Sequence, residues 1–271
     1  MLLNFKIFSP GEIIAQQQTP LFILHGLLGS KDNWRSQAKR LSTRQPVFTL
    51  DLRNHGDSPH VKGMSYRAMA NDVLKVATQE GINHFNLLGH SMGGKVAMHL
   101  ALAHGNCVNR LIVVDIAPKA YPLWHLKTLQ GLMSVPLDRL KSRKAIDDYL
   151  KPWIEDSTER TFLLKNLQRV TKPTTNTVYQ WRCNLTEISK GYLNIAGFNH
   201  PDSTFTKESL FIKGENSPYI QQKDEALIRS LFPNLSPNKK VVVMKNAGHL
   251  PHFDDPDTFY QLVSSFLQQQ N

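Results

Sequence analysis

The chain has few cysteines and no long apolar stretch. Only two cysteines, Cys107 and Cys183, occur among 271 residues, which is too few for a disulfide framework, and they lack the spacing of a metal site. No apolar run approaches the roughly 20 residues that cross a bilayer. The segment Met1–Lys6 lacks the basic and apolar regions of a signal peptide. These absences predict a cytoplasmic protein without a membrane span.

Positive charge exceeds negative charge. Lysine and arginine number 32 against 22 aspartate and glutamate residues, which gives a net charge of +10. Such an excess attracts anionic partners, such as nucleic acid or an acyl group on a phosphorylated carrier. No recognisable nucleic-acid-binding module or dense basic cluster occurs, so we expect no nucleic-acid partner.

A strand–turn–helix pattern centres on Ser91. His84–Leu88 is an apolar run typical of a buried strand, and helix formers follow from Lys95. Between them, Gly89-His90-Ser91-Met92-Gly93 fits Gly-x-Ser-x-Gly, the sharp turn that exposes a nucleophilic serine at the top of a sheet. A glycine-rich turn with a chance serine is the alternative, but the flanking strand and helix favour catalysis. The Met92 N–H is then one donor of an oxyanion hole.

Short apolar runs alternate with helical patterns along most of the chain. This alternation predicts an α/β fold with a mostly parallel sheet and helices on both faces. An N-terminal hairpin of residues 2–8 and 12–17 is also expected. The main strand-type runs lie at residues 20–24, 47–50, 84–88, 111–114, 209–213 and 240–244.

The alternation stops between about Pro118 and Phe205. Helical patterns at 124–133, 138–153 and 159–170 carry many large apolar residues. We interpret residues 118–206 as a helical cap, or lid, inserted into a core domain formed by 1–117 and 207–271. An ordinary helical core is the alternative reading.

A His-Gly loop follows the strand at residues 20–24. His25-Gly26-Leu27-Leu28-Gly29 stands upstream of the serine turn, where this architecture places the second oxyanion donor. We assign that donor to the Leu27 N–H, since glycines on either side let the backbone approach a substrate oxygen. The next polar loop carries Asp51, Arg53 and His55, which we interpret as structural.

A serine nucleophile needs a base, and His249 is the candidate. It is the one histidine of eleven in a Gly-His turn after the final strand. His252 is a nearby alternative. A metal site of His249, His252, Asp254 and Asp255 is a further alternative, but nothing else in the sequence suggests additional ligands, so we expect neither metal nor cofactor.

The triad acid has two candidates. In an α/β-hydrolase it usually follows the next-to-last strand in a Gly-x-x-Asp pattern, but here Ser217 stands at that position. Glu215 lies two positions earlier. Asp115 ends the strand that follows the nucleophile helix, and it keeps the order serine, acid, histidine. We prefer Asp115 and keep Glu215 as the alternative.

Four residues are expected to line the substrate pocket. Trp124 and Trp153 are large apolar residues of the cap. His25 begins the oxyanion loop, and Leu250 follows His249 in the chain.

These motifs resemble the α/β-hydrolase superfamily and, more narrowly, the YbfF-type bacterial esterases. The resemblance covers nearly the whole chain, although the cap matches less clearly. It implies hydrolysis of carboxylic esters and of acyl thioesters such as acyl-CoA, and an acid after the sixth strand, in agreement with Asp115. The motifs that carry it are residues 25–30, 51–58, 89–95, 115–118 and 216–219.

The sequence therefore predicts a serine esterase that acts on a small-molecule ester or thioester through an acyl-enzyme on Ser91. A C–C bond hydrolase, a lactonase or a perhydrolase could use the same triad. A dehalogenase needs an aspartate where Ser91 stands. A non-catalytic ligand-binding member of the fold is the alternative from another class. The oligomeric state is left open.

Overall fold

A seven-stranded sheet forms the centre of the protein. The computed structural model describes residues 1–9, 11, 18–172, 175–236 and 240–268. The strand order is β1-β3-β2-β4-β5-β8-β9, and a separate hairpin pairs β6 with β7. The strands are β1 (Phe5–Phe8), β2 (Leu21–Leu24), β3 (Val47–Leu50), β4 (Phe85–His90), β5 (Val108–Val114), β6 (Leu167–Lys172), β7 (Thr175–Trp181), β8 (Ser209–Gly214) and β9 (Val242–Met244).

The predicted mostly parallel sheet is confirmed. Every neighbouring pair of the seven strands is parallel except β1 with β3, in which Phe5 pairs with Leu50. Six of the seven strands therefore point the same way, and the loops that follow them meet at one edge. The predicted partner strand of β1, residues 12–17, lies outside the described residues.

Helices cover both faces of the sheet. Short 3₁₀ turns at Lys31–Trp34 and Gln222–Asp224 precede two of them. The helices are α1 (Arg35–Leu41), α2 (Tyr66–Gln79), α3 (Met92–Ala103), α4 (Leu126–Ser134), α5 (Arg143–Leu150), α6 (Ser157–Leu164), α7 (Leu185–Lys190), α8 (Tyr192–Ala196), α9 (Glu225–Leu231), α10 (Pro251–Asp254) and α11 (Pro256–Gln268). Among the described helices, none is long and apolar enough to cross a bilayer.

Two apolar cores follow from the alternation of side chains along the strands. Phe22 and Leu24 of β2 pack in one core with α2 and α3, while Leu21 and Ile23 pack in the other with Trp34 and α11. A fully buried parallel strand must be apolar on both faces, which is why the strands appear as continuous apolar runs in the sequence.

The segment between β5 and β8 differs from the prediction in two respects. Its described residues form five helices where three helical patterns were predicted, with two short ones added at Leu185–Lys190 and Tyr192–Ala196. The helix predicted for 159–170 ends at Leu164, and Val170 lies in the hairpin of β6 and β7. The physical reason is that residues 170–181 are rich in threonine, valine and aromatic side chains, which favour strands.

The loop after β3 is held by one buried carboxylate. Asp51 accepts hydrogen bonds from the Lys31 N–H at 2.7 Å and the Asp57 N–H at 2.9 Å, and it pairs with the Lys31 ammonium at 2.8 Å. Gly56 faces this carboxylate with a φ of 55°, and a Cβ there would lie 2.2 Å from the Asp51 carboxyl carbon. The contacts agree with a structural role for this loop.

Gly56→Ala should therefore destabilise the fold strongly. Gly81 is the matched control, because it has a φ of 69° but open space around its missing Cβ. We expect Gly81→Ala to lower the free energy of unfolding by about 1 kcal/mol through backbone strain alone, and Gly56→Ala by about 3 kcal/mol or more because the buried ion pair must move. Urea titration of both variants measures this, and equal losses would contradict it.

Candidate active site

Ser91 occupies a strained turn between β4 and α3. Its backbone has φ 52° and ψ −119°, a conformation that an L-residue holds only when the surroundings impose it. Glycines provide the necessary space: a Cβ on Gly89 would lie 2.1 Å from the Gly93 carbonyl oxygen, and one on Gly93 would lie 2.5 Å from the His25 carbonyl oxygen. The turn presents the Ser91 hydroxyl at the carboxyl edge of the sheet.

His249 reaches Ser91 from the loop after β9. Its Nε2 lies 3.1 Å from the Ser91 Oγ. The Tyr219 ring stacks on the imidazole, with ring centroids 3.8 Å apart and planes tilted by 15°. The His90 Nε2 lies 2.7 Å from the His249 carbonyl oxygen, so that nitrogen of His90 carries the proton and donates. His249 is thus fixed at both its ring and its backbone.

Asp115 contacts the other side of the His249 ring. Its Oδ2 lies 2.7 Å from the His249 Nδ1, and the carboxylate is fully buried at the end of β5. The Gly214 N–H donates to its Oδ1 at 3.0 Å, and the Ser217 hydroxyl donates to its Oδ2. Since a carboxylate only accepts, the Nδ1 of His249 carries the proton and the Nε2 is free to accept one from Ser91.

Glu215 is turned away from this cluster. Its side chain is exposed, and its Oε2 accepts a hydrogen bond from the Asn246 N–H at 2.9 Å. Of the two acid candidates, the structure brings Asp115 to His249 and leaves Glu215 at the surface.

The alternatives at His252, Asp254 and Asp255 do not converge on one point. The His252 ring is buried and stacks on Trp34 with centroids 4.1 Å apart, which turns it away from Ser91. Asp254 accepts from the Gly248 N–H, while Asp255 accepts from the Thr258 N–H. Within the described part of the chain, no group of three or more histidine, cysteine, aspartate or glutamate side chains could hold a metal ion.

Two buried histidines hold the loop that carries Leu27. The His25 Nε2 accepts from the Leu52 N–H at 3.0 Å, and the His55 Nε2 accepts from the Leu28 N–H at 3.1 Å. Burial lowers the pKa of His25 to about 4 and that of His55 to about 3, so both rings are neutral at pH 7. Leu27 and Met92 lie beside Ser91, where the loop and the start of α3 meet.

Two cavities meet at Ser91. The outer cavity has a volume of about 510 Å³ and is lined by residues of both the sheet edge and the segment between β5 and β8. The inner recess is small, about 40 Å³. Both cavities share Leu27, Ser91, Trp124, His125 and Tyr219.

The structure places two of the four predicted pocket residues at these walls. Trp124 lines both cavities, and Leu250 lines the outer one. His25 and Trp153 line neither, which corrects the prediction. His25 is buried, with its Nδ1 2.7 Å from the Gly26 carbonyl oxygen, and Trp153 packs against Gly131 of α4, inside the segment rather than toward the cavity.

Sequence reasoning missed several residues of the site. Ser217, Tyr219, His125 and Lys95 all touch the cluster or the cavity walls. The first two lie in a motif that the family resemblance already singled out, so that motif was the available signal. Lys95 ends another such motif, residues 89–95, whereas His125 gave no signal, because its place in the cavity wall depends on contacts between distant parts of the chain.

The fold and this geometry agree with the comparison of the chain with known families. The profile of the alpha/beta hydrolase fold family matches residues 19–256. The chain therefore belongs to the α/β-hydrolase fold family.

Particular relatives include both lipases and esterases. An sn-1-specific diacylglycerol lipase of Danio rerio, ABHD11, is 39% identical over 259 residues, covering 92% of this chain and 78% of the lipase. Esterase YbfF of Escherichia coli is 29% identical over 257 residues, covering 93% of this chain and 96% of the esterase. The solved structure of a marine microorganism esterase has a TM-score of 0.89 and 38% identity, covering 98% and 99% of the two chains. The predicted resemblance to YbfF-type esterases is confirmed.

The buried neutral histidines predict a loss of stability in acid. Burial lowers the pKa of His252 to about 3, as it lowers those of His25 and His55. Unfolded histidines titrate near 6.5, so unfolding takes up protons below that pH. The free energy of unfolding therefore does not depend on these rings above about pH 6.5. Between about pH 6.5 and pH 4 it falls by up to about 1.4 kcal/mol per pH unit for each ring.

Urea unfolding at pH 7.5 and pH 5 measures this loss. His252→Phe keeps an aromatic ring against Trp34 but removes one site of proton uptake, so its stability should fall less steeply than that of the parent protein. The idea fails if the free energy of unfolding is the same at both pH values.

Proposed function

We propose that this protein is a serine esterase that hydrolyses carboxylic esters through an acyl-enzyme. The observation that carries the proposal is the continuous hydrogen-bond path from the Ser91 Oγ to the His249 Nε2, at 3.1 Å, and from the His249 Nδ1 to Asp115, at 2.7 Å. The relatives named esterase and lipase support the same chemistry.

In the proposed mechanism, His249 takes the hydroxyl proton as the Ser91 Oγ attacks the carbonyl carbon of the ester. The Leu27 and Met92 N–H groups bind the negatively charged oxygen of the tetrahedral intermediate, each worth about 3 kcal/mol. The carbon–oxygen bond to the alcohol then breaks, and His249 gives its proton to the leaving oxygen. In the second half of the reaction a water molecule attacks the acyl carbon while His249 takes a proton from it. The bond to the Ser91 Oγ then breaks, Ser91 regains its proton from His249, and the acid is released.

Asp115 has two tasks in this mechanism. It holds the His249 ring in the tautomer that accepts from Ser91, and it stabilises the imidazolium that forms. Ser217 and the Gly214 N–H fix the carboxylate through the bonds described above, and Tyr219 supports the imidazole from its face. These three residues position the triad and do not react.

We further propose that residues 118–206 form the cap over a core of 1–117 and 207–271. In support, this segment supplies Trp124, His125 and Phe162 to the wall of the outer cavity. A cap in this position shields the oxyanion from bulk water and sets which substrates enter.

The charge inside the outer cavity favours neutral esters over acyl-CoA. Its described lining carries the carboxyl groups of Asp156, Glu159 and Asp254 and no lysine or arginine. A phosphorylated carrier would be repelled there, although the net charge of +10 attracts it at long range. Thioester hydrolysis therefore stays a prediction that a comparison of matched oxygen and CoA esters tests. Cytoplasmic localisation likewise stays a prediction from the sequence.

Ser91→Ala should abolish the covalent route. We expect kcat for p-nitrophenyl acetate to fall by about four orders of magnitude while the protein stays folded. A fluorophosphonate probe should label the parent protein and the control Ser230→Ala, whose serine is exposed on α9, but not Ser91→Ala. Undiminished turnover in Ser91→Ala would remove the nucleophile assignment, and a parent protein that neither turns over nor labels would indicate a ligand-binding protein.

Asp115→Asn and Glu215→Gln form a matched pair of carboxylate-to-amide changes. Because only Asp115 contacts His249, we expect Asp115→Asn to lower kcat by about four orders of magnitude and Glu215→Gln to leave it nearly unchanged. Steady-state kinetics on both variants, with thermal unfolding to verify the fold, makes the measurement. A comparable loss in Glu215→Gln would show that the acid is misassigned.

A further inference from the structure

The two cavities at Ser91 differ in their relation to His249. The outer cavity is lined by Gly248, His249 and Leu250, whereas the walls of the inner recess are formed by Met92, Lys95 and the aromatic residues near them. In ester hydrolysis the imidazole must reach the leaving oxygen to protonate it. An alcohol part on the His249 side would occupy the outer cavity, and the acyl part would then point into the recess.

The recess is small, and the tyrosine hydroxyls around it already have partners in the protein. Its volume of about 40 Å³ is less than a tenth of the outer cavity's 510 Å³, too small for a long chain. The tyrosine hydroxyls around it bond within the protein: Tyr66 donates to the Ile195 carbonyl, Tyr121 donates to the Tyr219 carbonyl, and Tyr192 accepts from the His125 N–H. The recess thus suits a short apolar chain.

Lys95 fixes one wall of this recess. It follows Ser91 by one helical turn on α3 and is buried, with its ammonium donating to the carbonyls of Ala196 at 3.0 Å and Gly197 at 2.8 Å. These carbonyls end α8, and burial lowers the pKa of the Lys95 ammonium to about 7. The ammonium also lies 4.7 Å from the centre of the Tyr121 ring. A buried lysine held by backbone carbonyls ties the end of the 118–206 segment to the nucleophile helix.

We propose that the inner recess binds the acyl group of the substrate and limits it to a short chain, and that Lys95 is the positioning residue that keeps the recess closed. The substrate class is then a short-chain acyl ester of a larger alcohol. This inference rests on the proposed esterase function.

Octyl acetate and ethyl octanoate test the assignment of the two cavities. They are isomers of equal hydrophobicity that exchange the long chain between the alcohol and the acyl side. We expect kcat/KM for octyl acetate to exceed that for ethyl octanoate by about tenfold or more, because a chain that does not fit is excluded from the transition state. Equal rates, or a preference for ethyl octanoate, would overturn the proposal.

Lys95→Ala tests the positioning role. It removes both the side-chain volume and the hydrogen bonds, so the ratio of kcat/KM for p-nitrophenyl octanoate to that for p-nitrophenyl acetate should rise by about tenfold. Lys207→Ala is the matched control, since Lys207 also donates to two backbone carbonyls, those of Asn106 and Val108, away from the site. It should leave the ratio unchanged. A ratio that stays at the parent value in a folded Lys95→Ala protein overturns the role.

Ala196→Leu keeps the test decisive if Lys95→Ala does not fold. Ala196 lines the recess, so the larger side chain should lower kcat/KM for p-nitrophenyl butyrate by about tenfold more than for p-nitrophenyl acetate. Equal effects on both substrates would contradict an acyl recess. Failure of the esterase function itself is distinguishable, because the parent protein would then hydrolyse none of these esters.

Discussion

The buried carboxylate of Asp115 is the interaction on which the arrangement of the site depends. It accepts from the Gly214 N–H, the Ser217 hydroxyl and the His249 ring, and so joins the ends of β5, β8 and β9. A fully buried charge is tolerated only when such partners replace its lost hydration. The geometry of the proposed triad and the local stability of three adjacent strand ends therefore rest on the same group, and a change to any of its partners disturbs both.

The fold could be predicted well from the sequence because the apolar patterns of strands and helices are local. A parallel strand buried on both faces is a continuous apolar run, and the loops after such runs must meet at one edge, so Ser91, Asp115 and His249 could be placed together without coordinates. The hairpin of β6 and β7 and the cavity walls could not be predicted in this way. Whether Trp124 or Trp153 faces the cavity depends on how α4 packs, and a single helix pattern does not contain that information.

The net charge of the chain likewise does not describe the charge at the site. The chain as a whole carries a charge of +10, yet the outer cavity is lined by Asp156, Glu159 and Asp254. Around the oxyanion loop the histidines are buried and neutral, and they act as hydrogen-bond acceptors for backbone N–H groups rather than as cations. Net charge describes how the protein attracts ligands at a distance, while the local side chains decide which of them fit.

One contact links the hairpin of β6 and β7 to the centre of the site. Asn166, immediately before β6, donates from its side-chain amide to the Leu28 carbonyl at 2.6 Å, and Leu28 follows the proposed oxyanion donor Leu27 in the chain. The hairpin and the oxyanion loop are therefore mechanically coupled, because neither can shift without breaking a buried bond. In evolutionary terms the segment is not a freely exchangeable module: a transplanted segment must bring its own group to hold the Leu28 carbonyl, or the loop that carries Leu27 and Leu28 loses this support.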